Sequence, residues 1–312
     1  MYSVSNQFHN RACGKLLLSG EYFVLQGAKA FALPTKKGQS IEVKPYQKSF
    51  IKWTSTLHAS EVWFSCILNI DNNFKPDLQS QEADMLSRIF QEALKLNPQL
   101  NFNYGFEVRT QLEFDKSWGL GSSSTLIVLI ANWLDIDAYS LLQNTFGGSG
   151  YDIAVGLESR SILYTLKHAP SIEPIDFNPS FSDSLYFFYL NKKQNSREAI
   201  EHFRKQTIEN STIDRVSEIS RLLSVCGTLD EFSFLLKEHE DIVSKNLHLP
   251  KVSELMPSIP SSIQLKSLGA WGGDFVLAAT SIHKNELLEI LNKQGINTLI
   301  SFNEMIYNHT TL

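Results

Sequence analysis

The chain is short of cysteine, of clustered histidine and of long apolar runs, and each shortage excludes a class of protein. Its three cysteines, Cys13, Cys66 and Cys226, lie far apart and form no CxxC pair. This spacing fits neither a disulfide framework nor a cysteine zinc site. The eight histidines are scattered and show no HExxH pattern, so a zinc-protease site is not expected.

Long apolar runs are missing as well. The longest, residues 126–131, is far too short to cross a bilayer. Residues 1–11 are polar and lack the apolar core of a signal peptide. We therefore expect a cytoplasmic protein of a reducing compartment, with no membrane partner.

Positive charge is not in excess. Lys and Arg number 28 against 33 Asp and Glu, which gives a formal net charge of -5. Binding to a nucleic-acid backbone needs a concentrated basic surface, so no nucleic-acid partner is expected. This charge balance still leaves room for one local anion pocket. With 43% apolar and 20% charged residues, the composition is that of an ordinary globular protein.

Hydrophobic periodicity predicts three elements clearly. Residues 81–96 keep apolar side chains at helical spacing and precede Pro98, which indicates an amphipathic helix. Residues 102–114 alternate apolar and polar side chains, as a strand with one buried face does. Residues 125–134 are apolar on all sides, which favours a buried helix, although their Ile and Val content would also allow a strand.

Weaker patterns place the remaining elements and favour an α+β fold over a doubly wound sheet. A stretch rich in Pro, Ser and Asp, residues 168–184, is the candidate domain boundary. Strands are expected within 13–43 and 50–70, at 161–166 and at 185–190; helices at 196–206, 213–225 and 229–246; and strand, turn, strand, helix (284–294), strand within 263–302.

One glycine- and serine-rich segment, residues 119–124 (GLGSSS), leads into the apolar helix. Glycines let backbone N–H groups approach a ligand, and serines at a helix start cap it. The positive end of the helix dipole then faces any bound phosphate. The alternative is an ordinary capped turn, and from the residues alone the two interpretations are about equally weighted. The segment is neither a Walker A loop nor a Rossmann fingerprint.

Three further motifs could carry chemistry. Lys15 follows a glycine at the start of an apolar strand and could offer a point charge to a phosphoryl oxygen or an alkoxide. Asp152 follows three glycines and could accept a proton from an alcohol. Residues 268–274 (LGAWGGD) form a second glycine-rich turn between two predicted strands. Each of these, taken alone, is more often a strand-edge lysine, a capping aspartate or a hairpin loop.

Taken together and in this order, the four motifs resemble the GHMP kinases, a superfamily of small-molecule kinases. Residues 12–25 are similar to the family's first motif, and Gly119 to Ser124 match its GLGSSA phosphate loop. Residues 149–154 are similar to the signature that carries the catalytic aspartate, and residues 268–274 resemble the carboxy-terminal glycine loop. The variants lie nearest to the mevalonate and phosphomevalonate kinase branch.

The resemblance implies a two-domain architecture. Residues 1–175 would form an ATP-binding domain like domain 2 of ribosomal protein S5, and residues 176–312 a ferredoxin-like domain. Asp152 would act as the base, and Lys15 would steady the alkoxide and the γ-phosphate. Ser122 and Ser123 would lie near Mg²⁺. The residues that would hold ATP are Gly119, Leu120, Gly121, Ser122, Ser123, Ser124, Gly269, Gly272 and Gly273.

Four residues are expected to contact the substrate. Glu21 and Tyr22 belong to the first motif of the resemblance. Lys192 and Ser196 lie in a basic loop at a place where relatives often contact the phosphate or carboxylate end of the substrate. A solvated basic loop is an equally good interpretation of this last segment.

The sequence also departs from the family pattern. Cys13 replaces a proline, Trp271 replaces a small residue, and no proline precedes the phosphate loop. The stretch from Ser124 to Ser149 leaves room for little more than one helix, and Asp135 and Asp137 are its only carboxylates. Relatives often take a metal ligand from this stretch, so metal ligation is the least specified part of the site.

The sequence therefore predicts an ATP- and Mg²⁺-dependent enzyme that phosphorylates an alcohol or a phosphate monoester of a small mevalonate-like metabolite. The altered first motif and the short central stretch leave a second hypothesis open, a protein of this fold that binds nucleotide without transferring phosphate. A third is a decarboxylase like that of diphosphomevalonate, whose chemistry also begins with phosphorylation. The sequence does not specify an oligomeric state.

Overall fold

A computed structural model describes residues 2–3, 7–58, 61–102, 104–190, 203, 206–269, 271 and 275–308. The chain divides into two compact units. The first comprises Met1–Gly14, Lys37–Lys116 and Gly121–Leu157, and the second comprises Lys15–Lys36, Ser117–Leu120 and Glu158–Leu312. Within the described residues, no helix combines the length and the apolar character needed to cross a membrane.

The described residues form a mixture of strands and helices. The strands are β1 (Tyr2–Ser3), β2 (Phe8–Ser19), β3 (Lys29–Tyr46), β4 (Phe50–Leu57), β5 (Glu61–Asn69), β6 (Lys75–Pro76), β7 (Leu100–Asn101), β8 (Gly105–Leu112), β9 (Ser161–Thr165), β10 (Ser171–Ile175), β11 (Leu185–Tyr189), β12 (Gln264–Ser267), β13 (Phe275–Ala279) and β14 (Leu299–Ser301). The helices are α1 (Gln81–Leu96), α2 (Ser122–Leu134), α3 (Ala138–Thr145), α4 (Tyr151–Glu158), α5 (Asn210–Leu223), α6 (Leu229–Leu247), α7 (Val252–Leu255), α8 (Lys284–Asn292) and α9 (Phe302–Met305).

The first unit is a sheet covered by helices. The second half of β3 pairs with β8 in antiparallel fashion, β8 pairs with β4 in parallel, and β5 and β6 continue the sheet. Helix α1 starts where the Ser80 hydroxyl accepts the Ala83 N–H, and its apolar stripe joins α2 and the sheet in one core. Trp53, Phe90 and Trp133 pack edge to face at its centre.

The second unit contains a ferredoxin-like arrangement. Strands β11, β12, β13 and β14 form an antiparallel sheet in the order β12-β13-β11-β14. Helices α5 and α6 follow β11, and α8 joins β13 to β14, which gives the β-α-β-β-α-β sequence of that fold. In the same unit, Lys29–Ala32 of β3 pair with β9, and β9 pairs with β10.

The α+β prediction is confirmed, and most element positions agree with the pattern-based expectation. Helix α1 has the predicted bounds, the segment from 125 onward is a helix, and the strand–turn–strand–helix–strand order near the carboxyl end is observed. The helix predicted over 196–206 lies largely outside the described residues. The predicted division into domains 1–175 and 176–312 stays a prediction.

One expectation was wrong, and one strand was not predicted. The stretch from Ser124 to Ser149 holds the rest of α2 and a second helix, α3, which begins at the Asp137 cap, rather than one helix and a tail. The Pro/Ser/Asp-rich stretch 168–184 contains a paired strand, β10. This strand has no buried residue and includes Pro174, so it shows neither apolar alternation nor the composition of a central strand.

Candidate functional site

Lys15 is fixed to the start of the glycine-rich loop by two bonds. Its ammonium Nζ donates to the carbonyl oxygen of Gly119 at 2.9 Å, and its backbone N–H donates to Leu120 O at 2.9 Å. These residues are 104 positions apart in the chain and belong to the same compact unit. The first motif and the start of the phosphate-loop motif therefore meet in space.

The segment just before Gly119 is anchored by aromatic side chains. The Tyr189 hydroxyl donates to Ser117 O at 3.0 Å. The Trp118 ring packs edge to face on Phe275 at 5.3 Å between centroids. These contacts hold the backbone that enters the loop.

The loop enters α2 through a left-handed glycine. Gly121 has φ 91° and occupies the N-cap position, where it has no side chain to offer the first helical N–H groups. The expectation that serines cap this helix was therefore wrong. The Ser124 hydroxyl instead donates backward to Gly121 O at 2.9 Å. The first turn of α2 thus begins without a side-chain cap, an arrangement suited to an anion.

Ser122 and Ser123 are the first two residues of α2, and their hydroxyl oxygens are the candidate metal ligands at this end of the helix. Ser122 is half-buried and Ser123 is exposed. Asp135 and Asp137 lie beyond the other end of α2, about 20 Å away along a helix of 13 residues. Asp137 is also occupied as the cap of α3, where it accepts the Ser140 N–H at 2.7 Å. Neither carboxylate can therefore serve a metal at the loop.

The described residues contain no group of three or more His, Cys, Asp or Glu side chains that could hold a metal ion. Mg²⁺ commonly keeps several waters and binds through substrate phosphates. The donor set at Ser122 and Ser123 therefore fits Mg²⁺ only as an ion that arrives with a nucleotide.

Asp152 is the second residue of α4, which follows a loop that needs glycine. Gly147, Gly148 and Gly150 have φ of 70°, 119° and 83°, conformations that other residues rarely adopt. Asp152 is half-buried in the first turn of α4. One turn later, Gly156 lies so near Val128 of α2 that an added Cβ would stand 3.0 Å from Cγ2. Within the first unit, the helix of Asp152 and the helix of the serines therefore pack closely.

Glu21 and Tyr22 are both buried, at 1% and 6% exposure. The Glu21 carboxylate accepts from Lys266 Nζ at 2.6 Å, and its other oxygen lies 3.4 Å from His239 Nε2. Burial among the chain's own side chains favours a structural role for Glu21, and substrate contact by this pair stays a prediction. Sequence patterns gave no sign of Lys266 or His239.

The fourth motif is described in part. Gly269 has φ 70°, and the Trp271 indole is buried and donates to Pro250 O at 2.9 Å. Gly272, Gly273, Lys192 and Ser196 lie outside the described residues.

No protein-family model matches the chain, and no curated protein matches it by sequence. Solved structures match it at low identity over nearly its whole length. Mevalonate kinase of Methanococcus jannaschii is 17% identical with a TM-score of 0.69, covering 94% of this chain and 97% of that one. Phosphomevalonate kinase of Streptococcus pneumoniae, in complex with phosphomevalonate and AMPPNP, is 14% identical with a TM-score of 0.68, covering 94% and 99%.

Galactokinase of Lactococcus lactis, complexed with galactose, is 14% identical with a TM-score of 0.67, covering 98% of this chain and 94% of that one. The likeness therefore extends to kinases of unrelated small molecules. The GHMP kinase fold that the motifs predicted is confirmed, and it is a fold that small-molecule kinases use.

Proposed function

We propose that the protein is an ATP-dependent kinase that transfers the γ-phosphoryl group to a small alcohol or phosphate monoester. The observation that carries this proposal is the pair of bonds between Lys15 and the Gly119–Leu120 backbone, at the entry to a helix that starts without a side-chain cap. A cation beside an anion-binding helix start is what a transferring phosphoryl group requires.

In this proposal the backbone N–H groups from Gly121 to Ser124 bind the phosphates of ATP. Lys15 offers its positive charge to the γ-phosphate, where charge accumulates in the transition state. Gly269, Gly272 and Gly273 border the same phosphates. Mg²⁺ would supply further charge neutralisation and would be held near Ser122 and Ser123.

Asp152 is proposed as the acceptor of the substrate hydroxyl proton. Its carboxylate stands in the first turn of α4, on a backbone fixed by three left-handed glycines. A fixed carboxylate within reach of the hydroxyl lowers the barrier by general-base catalysis. The proposed substrate is a mevalonate-like metabolite, with Glu21, Tyr22, Lys192 and Ser196 as candidate contacts. The residues Gly-Glu-Tyr at 20–22 and Gly-Tyr-Asp at 150–152 support a substrate like those of the mevalonate and phosphomevalonate kinases.

The test combines ATP binding with turnover. Wild-type protein should bind ATP with Mg²⁺ in calorimetry and should phosphorylate one member of a panel of mevalonate, phosphomevalonate and homoserine. Asp152→Asn should lower kcat by about 10²–10⁴-fold and leave ATP affinity within about threefold. Lys15→Met should lower kcat by about 10²–10³-fold, because it removes charge from the transition state.

Matched control variants distinguish a loss of catalysis from a general loss of folding or stability. Asp135→Asn changes a carboxylate at the far end of α2 and should leave kcat unchanged. Lys29→Met removes a lysine that pairs with Glu173 at 2.7 Å and should likewise be neutral. Absence of ATP binding by the wild type would overturn the proposal.

A second candidate is a nucleotide-binding protein without transferase activity. The observations that favour it are the distance of Asp135 and Asp137 from the loop, about 20 Å along α2, and the absence among the described residues of any group of three or more side chains that could hold a metal ion. If the protein binds ATP but mass spectrometry detects no phosphorylated product from any alcohol, this second function is supported.

A further inference from the structure

Five polar residues form a buried cluster in the second compact unit, here called the Glu21 cluster. None of them exposes more than 2% of its surface. The members are Glu21, His239, Glu240, Lys266 and Ser267. Burying an ion costs several kcal/mol, and a buried ion pair can often be replaced by apolar residues without loss of stability. The cluster therefore calls for an explanation other than stability.

Lys266 bonds both to the first motif and to its own strand end. Its Nζ donates to Glu21 Oε1 at 2.6 Å and to the carbonyl oxygen of Ser267 at 2.5 Å. The Ser267 N–H in turn donates to Glu240 Oε1 of α6 at 3.0 Å. The backbone of Ser267, at the carboxyl end of β12, is therefore bonded at its carbonyl oxygen by Lys266 and at its N–H by Glu240.

His239 bonds to the backbone of Gly20, the residue before Glu21. Its Nε2 accepts the N–H of Gly20 at 2.9 Å, so the ring is neutral with its proton on Nδ1. Burial and the nearby Lys266 ammonium both lower the pKa of His239 well below its usual value, which keeps that acceptor available. Gly20 has no room for a side chain, since an added Cβ would stand 2.7 Å from Ala30 Cα.

The cluster joins two motifs that belong to the proposed site. Gly20 and Glu21 directly follow β2, the strand that carries Lys15 and its bonds to the loop. Lys266 and Ser267 directly precede Leu268 and Gly269, where the fourth motif begins. A shift at the cluster would therefore be passed along two short, continuous backbone segments to both motifs.

We propose that Lys266, through Glu21 and Ser267, is a positioning residue that sets the spacing between the Lys15 strand and the segment that begins at Leu268. This inference rests on the proposed function for its effect on turnover. Its structural part, the coupling of the two segments, stands independently of that function.

The experiment compares the double variant Glu21→Gln/Lys266→Met with wild type. Because Glu21 and Lys266 are removed together, neither is left as a buried ion without the partner it bonds to, so the double variant should unfold within a few degrees of wild type. Amide hydrogen exchange should quicken at least tenfold in peptides covering 16–20 and 265–269. In the same variant, kcat should fall at least tenfold while KM for the alcohol changes less than threefold.

The matched control is Asp241→Asn/Lys251→Met, which removes a partly exposed ion pair of 2.7 Å in the same unit. It should change neither exchange in those peptides nor kcat. Wild-type exchange in both peptides of the Glu21→Gln/Lys266→Met variant would overturn the proposal. If wild-type protein binds no ATP, the proposed function fails, and the exchange comparison still decides the positioning role.

If the double variant does not fold, Glu21→Asp makes the same comparison. It keeps both charges and draws the carboxylate back by one methylene group. Faster exchange in both peptides, with a lower kcat, supports the positioning role, and wild-type values for both would overturn it.

Discussion

At the scale of single residues, Glu240 is the member of the Glu21 cluster whose ionisation matters most near neutral pH. Burial raises the pKa of Glu240 to about 7, against the opposing effects of the Lys266 charge and the Ser267 N–H. Burial also raises the pKa of Glu21, in spite of its bond to Lys266. Two carboxyl groups near one ammonium can thus hold a proton that free glutamates would release.

Replacing Glu240 by Gln should therefore change how stability depends on pH. Between about pH 4.5 and pH 7 the folded state keeps a proton on Glu240 that the unfolded chain has lost, so the free energy of unfolding falls as pH rises. The shift corresponds to about 3 kcal/mol. Urea unfolding of wild type and Glu240→Gln at several pH values should show a slope over that window that is shallower in the variant, because Glu240 no longer contributes to it.

A matched measurement uses Glu238→Gln. Glu238 lies on α6, as Glu240 does. Its carboxylate accepts two bonds of 2.6 Å from the guanidinium of Arg215 on α5. Its substitution should leave the slope between pH 4.5 and pH 7 in place. Equal slopes in wild type and Glu240→Gln would contradict the buried-acid explanation.

At the scale of elements, strand β8 depends on a glycine that a sequence pattern could not identify. Gly105 begins this strand, and an added Cβ there would stand 2.0 Å from Lys48 O and 2.1 Å from Phe50 O. Both neighbours are backbone atoms, which cannot move aside as a flexible side chain can. The chain reversal that leads into β4 therefore packs directly on residue 105.

Gly105→Ala should lower the free energy of unfolding by about 2–4 kcal/mol, a size typical of an overpacked interior site. The matched variant is Gly227→Ala, because nothing lies within 4 Å of a Cβ at that glycine and its φ is not left-handed. It should be neutral or stabilising by up to about 1 kcal/mol. Equal effects of the two substitutions in urea unfolding would contradict the steric explanation.

Elements with strong periodicity could be predicted from the sequence, because their pattern reflects one buried face. Helix α1 has the predicted bounds for this reason. The predicted strand 102–114 is longer than β8, because alternation continues past the residues that β3 pairs with. Strand β10 was missed because an exposed edge strand needs no alternation.

The candidate site was predictable as a set of residues but not as a set of contacts. Motif order pointed to Lys15 and the Gly119 loop, but only coordinates show that the two bond to each other. Lys266 left no usable signal, because its partner Glu21 lies 245 positions away. A buried charge becomes recognisable only when the residue that compensates it is known.

At the scale of the whole molecule, neither compact unit is one continuous piece of chain. The chain passes from one unit to the other after residues 14, 36, 116, 120 and 157. Within the second unit, the amino-terminal segment supplies part of the core. Tyr22, Phe23 and Ala28 pack in one apolar cluster with Val216, Val243 and Trp271. Residues 158–312 therefore lack part of their own interior when separated from the first 36.

Cutting the chain at the predicted domain boundary tests how far the two halves fold independently. A fragment of residues 176–312 keeps the antiparallel sheet β12-β13-β11-β14, but it loses Glu21, the carboxylate that bonds to Lys266 Nζ. We expect this fragment to show helical circular dichroism without a sharp thermal transition, because breaking a buried ion pair by removing one partner costs about 3–5 kcal/mol. Adding Lys266→Met to the fragment should recover part of the transition. A sharp transition in the unmodified fragment would show that this region folds by itself and would support the boundary near residue 175.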